Sequence, residues 1–158
     1  MANTQSMATS FMGELMTATH NFGASPIRAG STADTFKAAL YLTSATVNAS
    51  TTAYSSTGEV TGTNYTAGGV TVTNATAPLA SNSSTTAGVA YWTPSASITY
   101  TTVTLSTAFD AVLIYNSTQS NKAVSVHTFG SQTITAGTFT LTMPTNNTST
   151  ALLRLSTT

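Results

Sequence analysis

Charged side chains are scarce in this chain of 158 residues. Asp, Glu, Lys and Arg together make up 5% of the sequence, whereas soluble domains carry about 25%. Four acidic and four basic side chains give a formal net charge of zero. Free monomers need a net charge to stay apart, so this composition favours a protein that packs against copies of itself or a partner in an assembly.

Cysteine is absent, which excludes disulfides and thiolate-bound zinc or iron–sulfur sites. The two histidines, His20 and His127, lie far apart in the sequence, and only four carboxylates are available to join them as metal ligands. The same shortage of titratable groups leaves little material for acid–base chemistry. We therefore predict no metal, no cofactor and no enzymatic activity.

No motif marks an active site either. A Ser–His–Asp triad is defined by geometry, and His20, His127, Asp34 and Asp110 offer a formal set of partners for the many serines. The sequence contains no Gly-x-Ser-x-Gly elbow, and the glycine-rich stretch 58–69 lacks the Gly-Lys-Ser/Thr of a phosphate loop. We predict no catalytic residues.

Long apolar runs and clusters of basic residues are missing as well. No run approaches the roughly 18 residues that would span a membrane. The segment that begins at Met1 lacks the basic and apolar regions of a secretory signal. The four basic residues are scattered and form no stripe: Arg28, Lys37, Lys122 and Arg154. We expect no contact with membranes and no direct contact with nucleic acid.

Threonine, serine and apolar residues occupy the positions that charged residues usually take. Hydrophobic residues account for 41% of the chain, and threonine is β-branched and favours strands. Alternating apolar residues predict a strand over 35–43, with Phe36, Ala38, Leu40 and Leu42 on one face. Threonine then serves as the outward partner in half-buried strands.

Strand-like segments recur about every 8–12 residues with turn signals between them. Segment 109–115 is apolar on both faces, as in a central strand. The pattern predicts a single all-β domain over 1–158, an antiparallel β-sandwich with a jelly roll as one variant and with one short N-terminal helix. Further strands are predicted at 70–74, 88–92, 97–106, 122–129, 138–143 and 151–155. The predicted connections are a long loop over 44–69 with a helical turn near Tyr54, a hairpin loop over 116–121 and a turn at Ala136-Gly137. A bulge is predicted at Thr101-Thr102.

The N-terminal segment 1–22 carries the helical pattern. Phe11, Leu15 and Ala18 recur at helical spacing within residues 6–22. Two interpretations are open. The helix lies on the chain's own sheet, or the segment is an arm that docks on a partner subunit.

We predict a partner interface formed by apolar and aromatic side chains from three parts of the chain. Trp92 has two interpretations, core residue or interface anchor, since tryptophan is enriched at binding hot spots. Clustered exposed rings would instead indicate a module that binds carbohydrate or a host surface. The predicted interface residues are Phe11, Leu15, Phe22, Tyr54, Tyr65 and Trp92.

Several segments resemble a family of small virion proteins of tailed bacteriophages. The resemblance covers nearly the whole chain and departs from the family pattern at 24–33 and 78–97. The segments that carry it are Thr19-His20-Asn21-Phe22, Asp34 to Tyr41, Ala49 to Tyr54, Gly58 to Gly69, Leu113 to Ser117, Asn121 to Val124, Phe129 to Ser131, Phe139 to Leu141 and Leu152 to Leu155.

The resemblance implies a non-enzymatic structural protein, with a capsid cement or decoration protein as the leading interpretation. A tail, neck or fibre component of the same virion is the alternative, and a carbohydrate- or host-surface-binding β module is the third. The implied partners are the major capsid protein or other virion proteins. The near-zero net charge separately predicts further copies of the chain as partners, in a trimer or larger oligomer. The implied location is the capsid exterior, after synthesis in the cytoplasm of the bacterial host.

Overall fold

The structure of the protein, a computed structural model, describes residues 2–16, 18–22, 33–74, 77–81 and 88–156. Within these residues the chain forms two antiparallel sheets and one short helix, so the prediction of an all-β, sandwich-like fold is confirmed. The elements in chain order are β1 (Ser6–Met7), α1 (Thr9–Met16), β2 (Phe36–Leu42), β3 (Val70–Thr71), β4 (Leu79–Ser81), β5 (Val89–Trp92), β6 (Ile98–Asn116), β7 (Lys122–Leu141) and β8 (Leu153–Ser156).

A long hairpin of β6 and β7 forms the centre of the larger sheet. That sheet has the order β1-β7-β6-β2-β3, and the smaller sheet has the order β4-β5-β8. Two sheets of five and three strands built around one hairpin describe the fold more closely than a jelly roll does. The predicted central strand 109–115 lies inside β6, and both Phe109 and Leu113 are completely buried there.

The turn predicted at Ala136-Gly137 is wrong, because β7 continues through it. Ala136 has a φ of 46° and lies where the pairing with β6 shifts register, between Val103↔Gly137 and Leu105↔Ile134. The left-handed backbone at Ala136 therefore marks a bulge within one continuous strand. The bulge predicted at Thr101-Thr102 is confirmed by a register shift between Tyr100 and Val103.

The predicted helix over 6–22 is too long. Ser6 and Met7 form β1 by pairing with Val126 and Ser125 of β7, which leaves α1 to begin at Thr9. Beyond the helix, Ala18 has a φ of 53°. Its N–H donates to the Leu15 carbonyl, and the N–H of Thr19 donates to the Glu14 carbonyl. These two bonds form a Schellman motif, in which a left-handed residue ends the helix.

The long loop over 44–69 is confirmed, but the helical turn predicted near Tyr54 is absent from it. Three isolated bridges hold the loop against the sheet: Tyr41↔Glu59, Ala53↔Lys122 and Thr63↔Thr104. The loop returns to the sheet at Gly69, which has a φ of 69°. A Cβ at Gly69 would lie 1.7 Å from the carbonyl oxygen of Ala38, so only glycine fits there.

Candidate functional site

Three of the six predicted interface residues belong to the chain's own core. Phe11, Phe22 and Trp92 are at most 5% exposed. The Phe22 ring stacks on Phe36 of β2 with centroids 4.3 Å apart, and it meets Trp92 of β5 edge-on at 4.7 Å. This aromatic cluster joins the N-terminal segment to both sheets. The assignment of these three residues to a partner interface is corrected accordingly, and the helix lies on its own protein.

Leu15 is half-buried at the edge of an apolar cleft of about 70 Å³ between α1 and the smaller sheet. Met7 and Phe11 line one side, and Leu153 and Leu155 line the other. Leu155 is 38% exposed, so the cleft opens towards solvent at this residue. Apart from Tyr91 and Trp92, the described residues that line the cleft have purely apolar side chains, so the cleft is suited to apolar contact.

Tyr54 and Tyr65 are half-buried because both bind one carboxylate, that of Glu59. The Tyr54 hydroxyl donates to Oε2 over 2.6 Å, and the Tyr65 hydroxyl donates to Oε1 over 2.8 Å. The Gly68 N–H donates to Oε1 over 2.7 Å. Glu59 itself is 6% exposed, so this carboxylate is buried and satisfied by three donors.

The Glu59 cluster, which we define as Glu59 with Tyr54, Tyr65 and Gly68, fixes the long loop to the sheet. Tyr65 also accepts the N–H of Leu40 in β2, over 3.0 Å. Burial, together with the nearby Glu59 carboxylate, raises the pKa of both tyrosines. Their hydroxyls therefore stay protonated as donors. The sequence analysis missed this cluster, although a lone acid flanked by two tyrosines in an otherwise uncharged loop was a visible signal.

A second polar cluster surrounds His20. Its Nε2 lies 2.7 Å from Oε2 of Glu14, and Nζ of Lys122 lies 2.5 Å from the other oxygen of that carboxylate. The Asn116 amide donates to Nδ1 of His20 over 3.1 Å, so the imidazole carries its proton on Nε2. Burial lowers the pKa of His20, which keeps the ring neutral. For Glu14, burial raises the pKa, but the bonds from Lys122 and His20 outweigh this and lower it.

Asp34 extends this cluster to the loop between β6 and β7. Its Oδ2 accepts the Asn116 amide over 2.7 Å and the Asn21 N–H over 2.8 Å. Its Oδ1 accepts the Gln119 amide over 3.1 Å. The two ring nitrogens of His20 therefore face an amide and a carboxylate, and no hydroxyl of the described residues bonds to either of them. The cluster ties the N-terminal segment to the hairpin.

Ser125 and His127 form a Ser–His pair on β7, with Oγ 2.9 Å from Nε2. A catalytic histidine needs a third group to orient it. Among the residues that the structure describes, no carboxylate contacts His127, and Ser125 is 1% exposed. His127 lines a cavity of about 200 Å³ beneath residues 141–143, and burial lowers its pKa to about 4. The pair is a neutral contact between a buried serine and a half-buried histidine.

The remaining carboxylate, Asp110, lies inside β6 and accepts the side-chain amide of Asn3 over 2.6 Å. All four carboxylates of the sequence thus accept hydrogen bonds within the chain: Glu14, Asp34, Glu59 and Asp110. The acids that could have served chemistry or electrostatic recognition hold the fold together.

No group of three or more His, Asp or Glu side chains within the described ranges is placed to hold a metal ion. In the same ranges no helix is long and apolar enough to cross a membrane. Comparisons with protein-family models, with curated proteins and with solved structures find no match for this chain. What the protein does must therefore be inferred from its residues and their geometry.

Proposed function

We propose that this chain is a non-enzymatic structural protein of a tailed-bacteriophage particle, a cement or decoration protein that binds the assembled capsid shell and reinforces it. The observation that carries the proposal is the internal use of every carboxylate. Because the carboxylates are engaged in internal hydrogen bonds, the surface is suited to contact through hydroxyls, backbone groups and apolar side chains. The resemblance to small virion proteins supports the same assignment.

The second half of β7 illustrates this kind of surface. No charged residue occurs between Lys122 and Arg154. β1 pairs with β7 only at Ser125 and Val126, and beyond them β7 presents exposed hydroxyl side chains. These exposed side chains are Ser131, Thr133, Thr135, Thr138 and Thr140. An uncharged hydroxyl surface forms individually weak contacts, which become strong in sum when a symmetric lattice repeats them.

The positions of the aromatic rings do not support the carbohydrate-binding alternative. Trp92 is buried, and the hydroxyls of Tyr54 and Tyr65 are occupied by Glu59. These rings therefore do not form the exposed cluster that a sugar would stack on. A tail, neck or fibre location differs from the capsid shell in copy number and symmetry, and the same surface serves either location.

The location of the chain in an intact particle tests the proposal. Cryo-electron microscopy should show a lattice of copies over the shell, and purified protein should sediment with shells that have been depleted of it. We expect attachment to change little with salt, because screening acts on exposed charge pairs and this surface offers few. A ring of a few copies at one vertex would contradict the shell assignment and favour the neck or tail.

A further inference from the structure

Lys37 is a half-buried cation whose counter-ion is not supplied by the chain. It lies in β2, opposite Thr71 of β3 and Tyr115 of β6. Its Nζ reaches towards Gly68, to 3.7 Å from the position that a Cβ on that glycine would take. A partly desolvated ammonium is stabilised by an anion close to it.

The chain has no spare carboxylate side chain for Lys37. Of its four acids, Glu14 is paired with Lys122 and His20, and the other three accept bonds from amide, hydroxyl or N–H donors. Within the described residues, ion pairs form only around Glu14. Because every acidic side chain has another place in the fold, none of them is available as a counter-ion for Lys37.

Lys37 lines a polar pocket that has room for such an anion. The pocket has a volume of about 250 Å³ and is enclosed by β2, β3, β6 and the end of the long loop. Hydroxyl groups of four threonines line the pocket together with Lys37, and none of its described lining residues is an acid. They belong to Thr66, Thr71, Thr99 and Thr101. One ammonium and several hydroxyl donors suit a carboxylate, which accepts hydrogen bonds at both oxygens.

The pocket is held in shape by contacts already described. Tyr65 and Tyr100, which both line the pocket, stack with ring centroids 6.0 Å apart, and the hydroxyl of Tyr65 donates to Glu59. Tyr100 donates to the carbonyl of Ala38 over 2.9 Å. Gly69, where no side chain fits, forms part of the wall. Pre-organised walls reduce the entropic cost of binding a small ligand.

We infer that the Lys37 pocket binds a carboxylate. Where the proposed function holds, on which this part of the inference rests, the carboxylate is an Asp or Glu side chain on the shell surface, presented to each copy of the protein. The ion pair then gives one oriented polar contact within an otherwise uncharged interface. It fixes the register of the chain on the lattice, because a buried charge tolerates no misplaced partner.

The pocket itself is tested on the isolated protein by NMR titration with sodium acetate, against sodium chloride at equal ionic strength. We expect acetate alone to shift the amide signals of Gly69, Thr71 and Thr99, with millimolar affinity. Lys37→Met should lose at least about tenfold in affinity, which corresponds to about 1.4 kcal/mol. Lys37→Arg keeps the charge and should retain binding. Arg154→Met removes an exposed cation outside the pocket and should change nothing.

Equal shifts with chloride, or acetate binding that survives Lys37→Met, would overturn the pocket. A spectrum of Lys37→Met that otherwise superimposes on that of the unchanged protein establishes that the variant folds. The source of the carboxylate is tested by sedimenting both proteins with depleted shells. Equal binding of both would overturn the shell side chain as the ligand and leave a free carboxylate. Failure of the unchanged protein to bind shells would refute the proposed function, while the acetate result would stand.

Discussion

Buried polar residues, each with its partners, account for much of what is unusual in this chain. Glu59 accepts three hydrogen bonds from the Tyr54 and Tyr65 hydroxyls and the Gly68 N–H. A buried acceptor that keeps all its donors stabilises the fold, whereas an orphaned partner costs free energy. At this scale Glu59, Tyr54 and Tyr65 hold the long loop in place.

Replacing Glu59 with Gln tests the Glu59 cluster. The amide keeps the shape but has one accepting oxygen in place of two, so one tyrosine or the Gly68 N–H loses its bond. We expect Glu59→Gln to lower the free energy of unfolding by roughly 1–3 kcal/mol, measured by urea denaturation. Tyr91→Phe provides a matched control, since Tyr91 forms no hydrogen bond to Glu59 among the described residues. An unchanged urea midpoint for Glu59→Gln would show that solvent satisfies the cluster.

His127 makes the stability of the protein depend on pH. Its pKa falls from 6.5 to about 4 on burial, so the unfolded chain binds a proton between these values and the folded chain does not. Stability should therefore decrease as the pH falls from about 6.5 towards 4, by at most about 3 kcal/mol. No acidic side chain lines the cavity beside His127.

Thermal melts between pH 7 and 4 measure the effect of His127. His127→Gln has no titrating group and can still bond to Ser125, so its melting temperature should fall less over this range. Burial lowers the pKa of His20 as well, in the same direction, so both proteins keep that contribution and the difference between them isolates His127. Parallel melting curves for the two proteins across the range would refute the prediction.

Local rules decide where the elements begin and end. The helix ends at a Schellman motif whose left-handed position is filled by Ala18, a residue that is strained there. Pairing of β1 with β7 removes the first turn of the predicted helix. Bulges, instead of turns, absorb the extra residues of β6 and β7 and leave the hairpin continuous.

Two substitutions in the helical region should each stabilise the protein. Ala18→Gly relieves the strain at a φ of 53°, and Ala18 is exposed, so no packing is lost. Gly13→Ala raises helix propensity at a position where a Cβ meets no atom within 4 Å. We expect each to raise the free energy of unfolding by about 0.5–1 kcal/mol. The reverse exchange at Gly69, Gly69→Ala, should unfold the chain or cost far more, since its Cβ would collide with Ala38.

The centre of β6 should tolerate truncation poorly. Leu113 is fully buried, between Ala39 of β2 and Val126 of β7. Leu113→Ala should leave a cavity and lower the free energy of unfolding by about 2–5 kcal/mol in urea or heat. Leu155→Ala, at a residue 38% exposed, is the matched surface control and should cost much less. Equal losses of unfolding free energy for the two variants would show that burial of Leu113 in β6 does not add to stability.

At the scale of the whole molecule, the surface of this protein is short of charge. Its acids hold the fold, Lys122 is paired with Glu14, and Lys37 opens into a pocket. The large apolar side chains that are exposed among the described residues are Met12, Leu79 and Leu155. For a molecule of zero net charge, burying part of such a surface against another molecule is favourable.

We expect the isolated protein to self-associate into a trimer or a larger symmetric oligomer. The reason is the near-zero net charge combined with a surface short of Lys and Glu. Light scattering over a range of protein concentrations measures the oligomer. Charge added to the exposed hydroxyl face of β7 should weaken association if this face takes part. Thr133→Lys and, as a separate variant, Thr135→Glu test this with charges of opposite sign. A monodisperse monomer at high concentration would contradict the prediction.

The sequence by itself determined the strand-rich architecture, because alternation of apolar residues reports which positions face a core whatever that core contains. It identified β2, the buried centre of β6 and the bulge at Thr101-Thr102, all of which depend on neighbours in the chain. Locally determined features of this kind can be read without knowing the fold.

The tertiary structure alone decided which distant residues meet. Phe11, Phe22 and Trp92 had the composition of an interface, and only the approach of the two sheets made them core. Glu59 found its donors, and Lys37 was left without an acid, through contacts between segments far apart in sequence. Pairing of this kind depends on the path of the whole chain, because burial and hydrogen bonding are set by what arrives from elsewhere in the fold.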